Sequence, residues 1–169
     1  MSTIGFCLIT NVPGHNEEEY LEAIKKFHSI PIEEKMKLAP RHYVPENTNI
    51  LHGYFPFLEK NVAHKEFYDM GRPLSDISPW EKEGCPLYEE NAWPQNSTEL
   101  GLDEVKIKFD QQFRVMQDLA LKLLQFLAIG LGKNKSYFDP WFKYECTADM
   151  RGIHYKPRDS SIILENPNE

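Results

Sequence analysis

The sequence predicts an α+β fold carried by one long helix. Three observations lead there. Apolar residues recur with helical period from Asp103 to Leu131, short β-prone runs lie near both ends of the chain, and a stretch rich in Pro, Gly, Asn and aromatic residues fills the interval. With 169 residues, 41% apolar and 27% charged, the chain has the size and balance of a single packed domain.

Taken in order, Ile4 to Thr10 is a short β-prone apolar run closed by Asn11, Pro13 and Gly14, and it is expected to be a buried strand. Glu17 to Glu19 then place negative charge at a helix N-terminus. Tyr20, Leu21, Ile24, Phe27 and His28 follow at three- and four-residue spacing, so an amphipathic helix should run to Pro31. A second short helix is expected from Ile32 to Leu38, between Pro31 and Pro40. From Arg41 to Asn96 only Gly53 to Phe55 and Glu66 to Asp69 look like strands. The aromatic residues there, Phe55, Phe57, Phe67, Tyr68, Trp80, Tyr88 and Trp93, argue for packing rather than disorder.

The long helix has its apolar stripe on Val105, Phe109, Phe113, Met116, Leu119 or Ala120, Leu123, Leu127 and Leu131, with Asp103 as its expected N-cap and Gly130 and Gly132 at its end. At 1.5 Å per residue it spans about 40 Å. Leu121, Leu124, Phe126 and Ile129 lie off that stripe, so the helix calls for burial on several sides. Met150 to Tyr155 returns to strand-like character before Pro157.

The net charge of −7 and the scattered basic residues exclude a phosphate backbone as the main partner. Lys25, Lys26, Lys35, Lys37, Lys133 and Lys135 sit in or beside helices and read as solvated faces. Cys7, Cys85 and Cys146 are far apart and odd in number, suggesting neither a disulfide framework nor a zinc knuckle and fitting a reducing, cytoplasmic compartment. The N-terminus lacks a secretory pattern, and no stretch is long enough for a membrane span.

Read in sequence, GFCLITNVPG, HGYFPFLEK, KEFYDMGRP, ENAWPQ, LLQFLAIGLG and MRGIHYKP resemble the N-terminal region of the isopenicillin N synthase-like, 2-oxoglutarate-dependent dioxygenases. The resemblance covers nearly the whole chain. It implies a helical region with a long backbone helix, followed by the first strands of a double-stranded β-helix, or jelly-roll barrel, left incomplete here. On this reading residues 1–169 are a single domain, the N-terminal region of an oxygenase that oxidises a small organic molecule with Fe(II) and 2-oxoglutarate. The family holds iron with two His and a carboxylate, beginning with an HxD after the MRGIHYKP-like strand, and the sequence contains no HxD. The chain is therefore expected to be a fragment or shortened isoform that is inactive alone and binds no cofactor tightly. The alternative is an inactive helical binding module.

No metal ligand or catalytic residue is assigned. The HxE triplets His15-Asn16-Glu17 and His64-Lys65-Glu66 are set aside, the first as a helix entry and the second as part of the family's non-metal KExFD-like segment. The resemblance places Tyr155 beside the 2-oxoglutarate pocket, where a phenol can donate to a carboxylate, or else as a packed strand residue. Ile153 stands where many plant members have Asn. Arg151 is either a pocket cation or a salt-bridged edge residue, and His154 is a further pocket candidate. Strand alternation puts Arg151, Ile153 and Tyr155 on one face and Met150, Gly152 and His154 on the other.

Overall fold

The computed structural model describes residues 5–58, 64–73, 88–142 and 147–157. Trp80, Cys85 and Cys146 lie outside them. Helix α1 spans Glu17–Ser29. Asn16 caps it, accepting from the Glu19 backbone N–H at 3.3 Å and donating to the Glu19 carboxylate at 2.7 Å. Pro31 is the N-cap of α2, Ile32–Met36, two residues shorter than expected. Strands β1, Gly53–Phe55, and β2, Lys65–Gly71, follow. Then come the long helix α3, Asp103–Gly130, a short α4, Asp139–Phe142, and β3, Asp149–Tyr155.

The three strands form one antiparallel sheet in the order β1-β2-β3. Glu66 stands opposite His154, Tyr68 opposite Gly152 and Asp69 opposite Arg151. One face packs on α1 and α3. A methyl group at Gly152 would lie 3.4 Å from the Phe109 ring and 3.5 Å from Ile24. Phe27 of α1 is the hub of this core, with Tyr68 at 4.5 Å and Trp93 at 6.1 Å between ring centroids, and all of Phe27, Tyr54, Tyr68 and Met70 are fully buried. Where it is described, the aromatic interval is packed, as its composition implied. Polar side chains order its irregular backbone: Asn47 donates to the Met36 and Ala39 carbonyls, and the Glu89 carboxylate accepts from the Ile50, Leu51 and His52 N–H groups. Gly53, at φ +121°, is required where it stands, because a Cβ there would fall 2.0 Å from the Leu38 carbonyl oxygen.

Four expectations need correction. Residues 5–10 form no strand: Phe6 is 81% and Leu8 90% exposed, because no strand among the described residues pairs with the run, and Asn11 ends it at φ +57°. The N-cap of α3 is Leu102 rather than Asp103; the Asp103 carboxylate instead accepts from the Ser97 and Thr98 hydroxyls, each at 2.8 Å. The stripe of α3 is buried only in its first half, through Val105, Phe109 and Phe113, whereas Leu127 and Leu131 are exposed with Phe126 and Ile129. Lys35 is not a solvated lysine but a buried one. The C-terminus of α3 does close on its glycine: Gly132, at φ +68°, donates to Ile129 and Lys133 donates to Ala128, a Schellman pattern. No described helix is long and apolar enough to cross a membrane.

Candidate functional site

The two faces of β3 carry different chemistry. On the face away from the helices, Arg151 grips Asp69 with two parallel bonds, Nε to Oδ1 at 2.5 Å and a terminal nitrogen to Oδ2 at 2.6 Å. Its guanidinium also lies 4.0 Å over the Phe67 ring, which stacks on Phe55 at 4.5 Å. The Asp69 bond raises the guanidinium pKa further above its ordinary value, so this cation is fixed and permanent. Tyr155, two residues along the same face from Ile153, is 63% exposed.

His154 points the other way. Beneath the sheet its Nδ1 meets the Glu66 carboxylate at 2.8 Å. Glu66 is buried at the end of β2 and gathers three further groups: Tyr54 donates to Oε2 at 2.5 Å, Lys35 donates to Oε2 at 3.0 Å, and His28 places Nδ1 3.8 Å from Oε1. Lys35 also donates to the His28 carbonyl at 3.0 Å, which fixes the ammonium between α1 and the strand. Burial pushes the Glu66 carboxyl up, but the bonds from Tyr54, His154 and Lys35 outweigh it and hold the group down at about 2. Burial pulls His28 down to about 4, so its ring is neutral at neutral pH. Tyr54 is driven up by burial and by its carboxylate partner.

Of the residues singled out in the sequence, the structure therefore brings Arg151 and Tyr155 onto one face and sends His154 to the other. The HxE triplets do not act as units: His15 bonds Gln112 at 2.9 Å, and His64 faces the Lys156 carbonyl at 3.3 Å while Glu66 turns into the core. The sequence reading missed Lys35 and the convergence of His28, Glu66 and His154, whose ligand-type atoms lie within 4.8 Å of one another. The only signal available was His28 on the apolar stripe of α1, where a lone histidine usually means core packing.

Comparison with known proteins bears on the family and the fold. Residues 1–96 match the family described as non-haem dioxygenase in morphine synthesis N-terminal. Isopenicillin N synthase of Flavobacterium sp. (strain SC 12,154) is 29% identical over 132 residues, covering 75% of this chain and 40% of that protein. The 2-oxoglutarate-Fe(II) type oxidoreductase hxnY of Emericella nidulans is 26% identical, covering 95% of this chain and 46% of that protein. The fold is also that of a full-length Neurospora crassa protein solved in complex with alpha-KG and thymine, at a TM-score of 0.69 and 20% identity over 94% of this chain and 48% of that one. The chain thus spans less than half the length of the relatives it matches.

Proposed function

The chain belongs to the non-haem dioxygenase N-terminal family, and we propose that it supplies the front part of an Fe(II)- and 2-oxoglutarate-dependent oxygenase acting on a small organic molecule. In this reading residues 1–169 are one unit, and β1 to β3 are the first strands of a jelly-roll barrel. The family's iron ligands begin with HxD, which this sequence lacks, so in this reading its residues supply none of them. When bound, iron with 2-oxoglutarate would supply the oxidising power.

The supporting observation is the register of β3 on β2. It sets Arg151 opposite Asp69 and Tyr155 opposite Lys65, on the face free of α1 and α3. That face would look into the barrel. Tyr155 would donate its hydroxyl to a co-substrate carboxylate. Arg151, held by Asp69 and by the Phe67 ring, would be a fixed cationic edge beside it. His154 would serve from behind the strand, bracing it through Glu66. The acidic charge of −7 suits neither nucleic acid nor an anionic membrane, which fits a cytoplasmic enzyme acting on a diffusing small molecule.

The test uses a version extended through the barrel strands. Tyr155→Phe should raise the KM for 2-oxoglutarate several-fold, consistent with losing one hydrogen bond of about 1 kcal/mol, while the circular dichroism stays unchanged. An unaltered co-substrate dependence would reduce Tyr155 to a packed strand residue. No succinate from the extended protein with Fe(II) would favour the inactive binding module.

A further inference from the structure

We propose that His28, Glu66 and His154 form a binding site for one divalent cation of the zinc class, separate from any iron centre. The case starts from an unsatisfied atom. Nδ1 of His28 is buried and has no hydrogen-bond partner. The other ring nitrogen, Nε2, lies 3.1 Å from the Gly152 carbonyl oxygen, which can only accept, so Nε2 carries the proton and Nδ1 the lone pair. That lone pair faces the Glu66 Oε1 at 3.8 Å, an arrangement of two electron-rich atoms across a gap. Such a pair is repulsive unless a proton or a cation lies between. A cation between the two atoms would satisfy both, and the His154 ring nitrogen lies beside the same gap.

The surroundings fit a metal ligand set. A ligating histidine ordinarily donates its second N–H to a backbone carbonyl or carboxylate, and the bond from His28 to Gly152 is of this kind. Lys35 and Tyr54 both occupy Oε2 of Glu66, orienting the carboxylate and leaving Oε1 for the ion. His154 supplies the third atom, with Nδ1 2.8 Å from the same Oε1. Zinc bonds of about 2.1 Å at tetrahedral angles separate ligand atoms by roughly 3.4 Å. The His28 contact must close by about 0.4 Å and the His154 contact must open by about 0.6 Å, and the two histidine ligand atoms lie within 4.8 Å of each other.

His154 then turns its Nδ1 lone pair to the ion and carries its ring proton on Nε2. Its side chain is 44% exposed, giving an entry path and room for water as fourth ligand. The Lys35 charge, 3.0 Å from the carboxylate, weakens attraction for hard cations bound by charge alone, so two imidazoles favour zinc, cobalt or copper over magnesium or calcium. Fe(II) ranks below these in the usual order of affinity.

Titration of the 169-residue chain with Zn(II) by calorimetry, and with Co(II) by visible absorption, tests the site. One equivalent should bind, and Co(II) should give the intense d–d bands of a tetrahedral site. His154→Gln should weaken binding at least tenfold, and His28→Gln should abolish it, whereas His15→Gln and Cys7→Ser should leave it unchanged. The half-exposed position of His154 makes His154→Gln decisive even if His28→Gln fails to fold. Absence of a saturable single equivalent, or equal affinity in His154→Gln, would overturn the proposal. Either failure leaves the oxygenase reading intact, since that rests on the 2-oxoglutarate dependence of the extended protein.

Discussion

Glu66 shows how a single buried charge organises its neighbours. Its two oxygens are claimed by Tyr54, Lys35 and His154, drawn from β1, α2 and β3, so one carboxylate ties three elements together. Truncating Lys35 to Met should cost about 3–5 kcal/mol, read from urea unfolding, because it strands an uncompensated buried anion. The double variant Lys35→Met/Glu66→Leu should recover much of that loss, since the desolvation cost disappears with the pair. The same residues set the acid response of the metal-free chain. The native carboxyl of Glu66 lies at about 2, below its ordinary 4.5, so its contribution is full above pH 4.5 and is lost as pH falls toward 2. Native His28 lies at about 4, below its ordinary 6.5, so the unfolded state takes up a proton first and stability drains between about pH 6.5 and 4. The urea midpoint should therefore fall from pH 7 to pH 4, and Glu66→Gln should flatten the further decline below pH 4.5. A midpoint that rises on acidification would contradict both assignments.

Among the elements, α3 has two halves with different fates. Its first half packs Val105, Phe109 and Phe113 against α1 and the sheet, and Phe109→Ala should cost about 3–5 kcal/mol by cavity formation. Its second half presents Phe126, Ile129 and, just past its end, Leu131 to solvent at 67%, 58% and 66% exposure. Phe126→Lys combined with Ile129→Glu should change stability by less than about 0.5 kcal/mol, because neither side chain is buried by this chain. In a version extended through the barrel the same double variant should be strongly destabilising if α3 is covered there, and a neutral result would place the barrel elsewhere.

For the whole molecule, the exposed end of α3, the Phe6 to Ile9 run and Trp141 at 59% exposure leave large apolar side chains open to solvent, the kind of surface that drives association. The isolated chain should self-associate, visible as concentration-dependent mass in analytical ultracentrifugation, and Phe126→Lys/Ile129→Glu should reduce it. A monodisperse monomer with cooperative unfolding would contradict this. The chain alone should also produce no succinate from 2-oxoglutarate with Fe(II), since it lacks the HxD ligands, and stoichiometric turnover would disprove that.

Much of this architecture was legible in the amino acids. The period of Val105, Phe109 and Phe113, the acidic start of α1 and Gly132 after α3 are local signals, and local signals fix helices through backbone hydrogen bonds and caps. The alternation in β3 likewise separated Arg151 and Tyr155 from His154, because a pleated strand sends neighbours to opposite faces whatever its partners. Strand status was less secure. The Ile4 to Thr10 run has β-prone residues yet stays unpaired where it is described, since a strand exists only with a neighbour to bond. Burial of Lys35 and the meeting of His28, Glu66 and His154 came only with the tertiary structure. Thirty-one residues separate Lys35 from Glu66 and 88 separate Glu66 from His154. Nothing in the spacing of such distant residues records a contact made by packing a helix under a sheet.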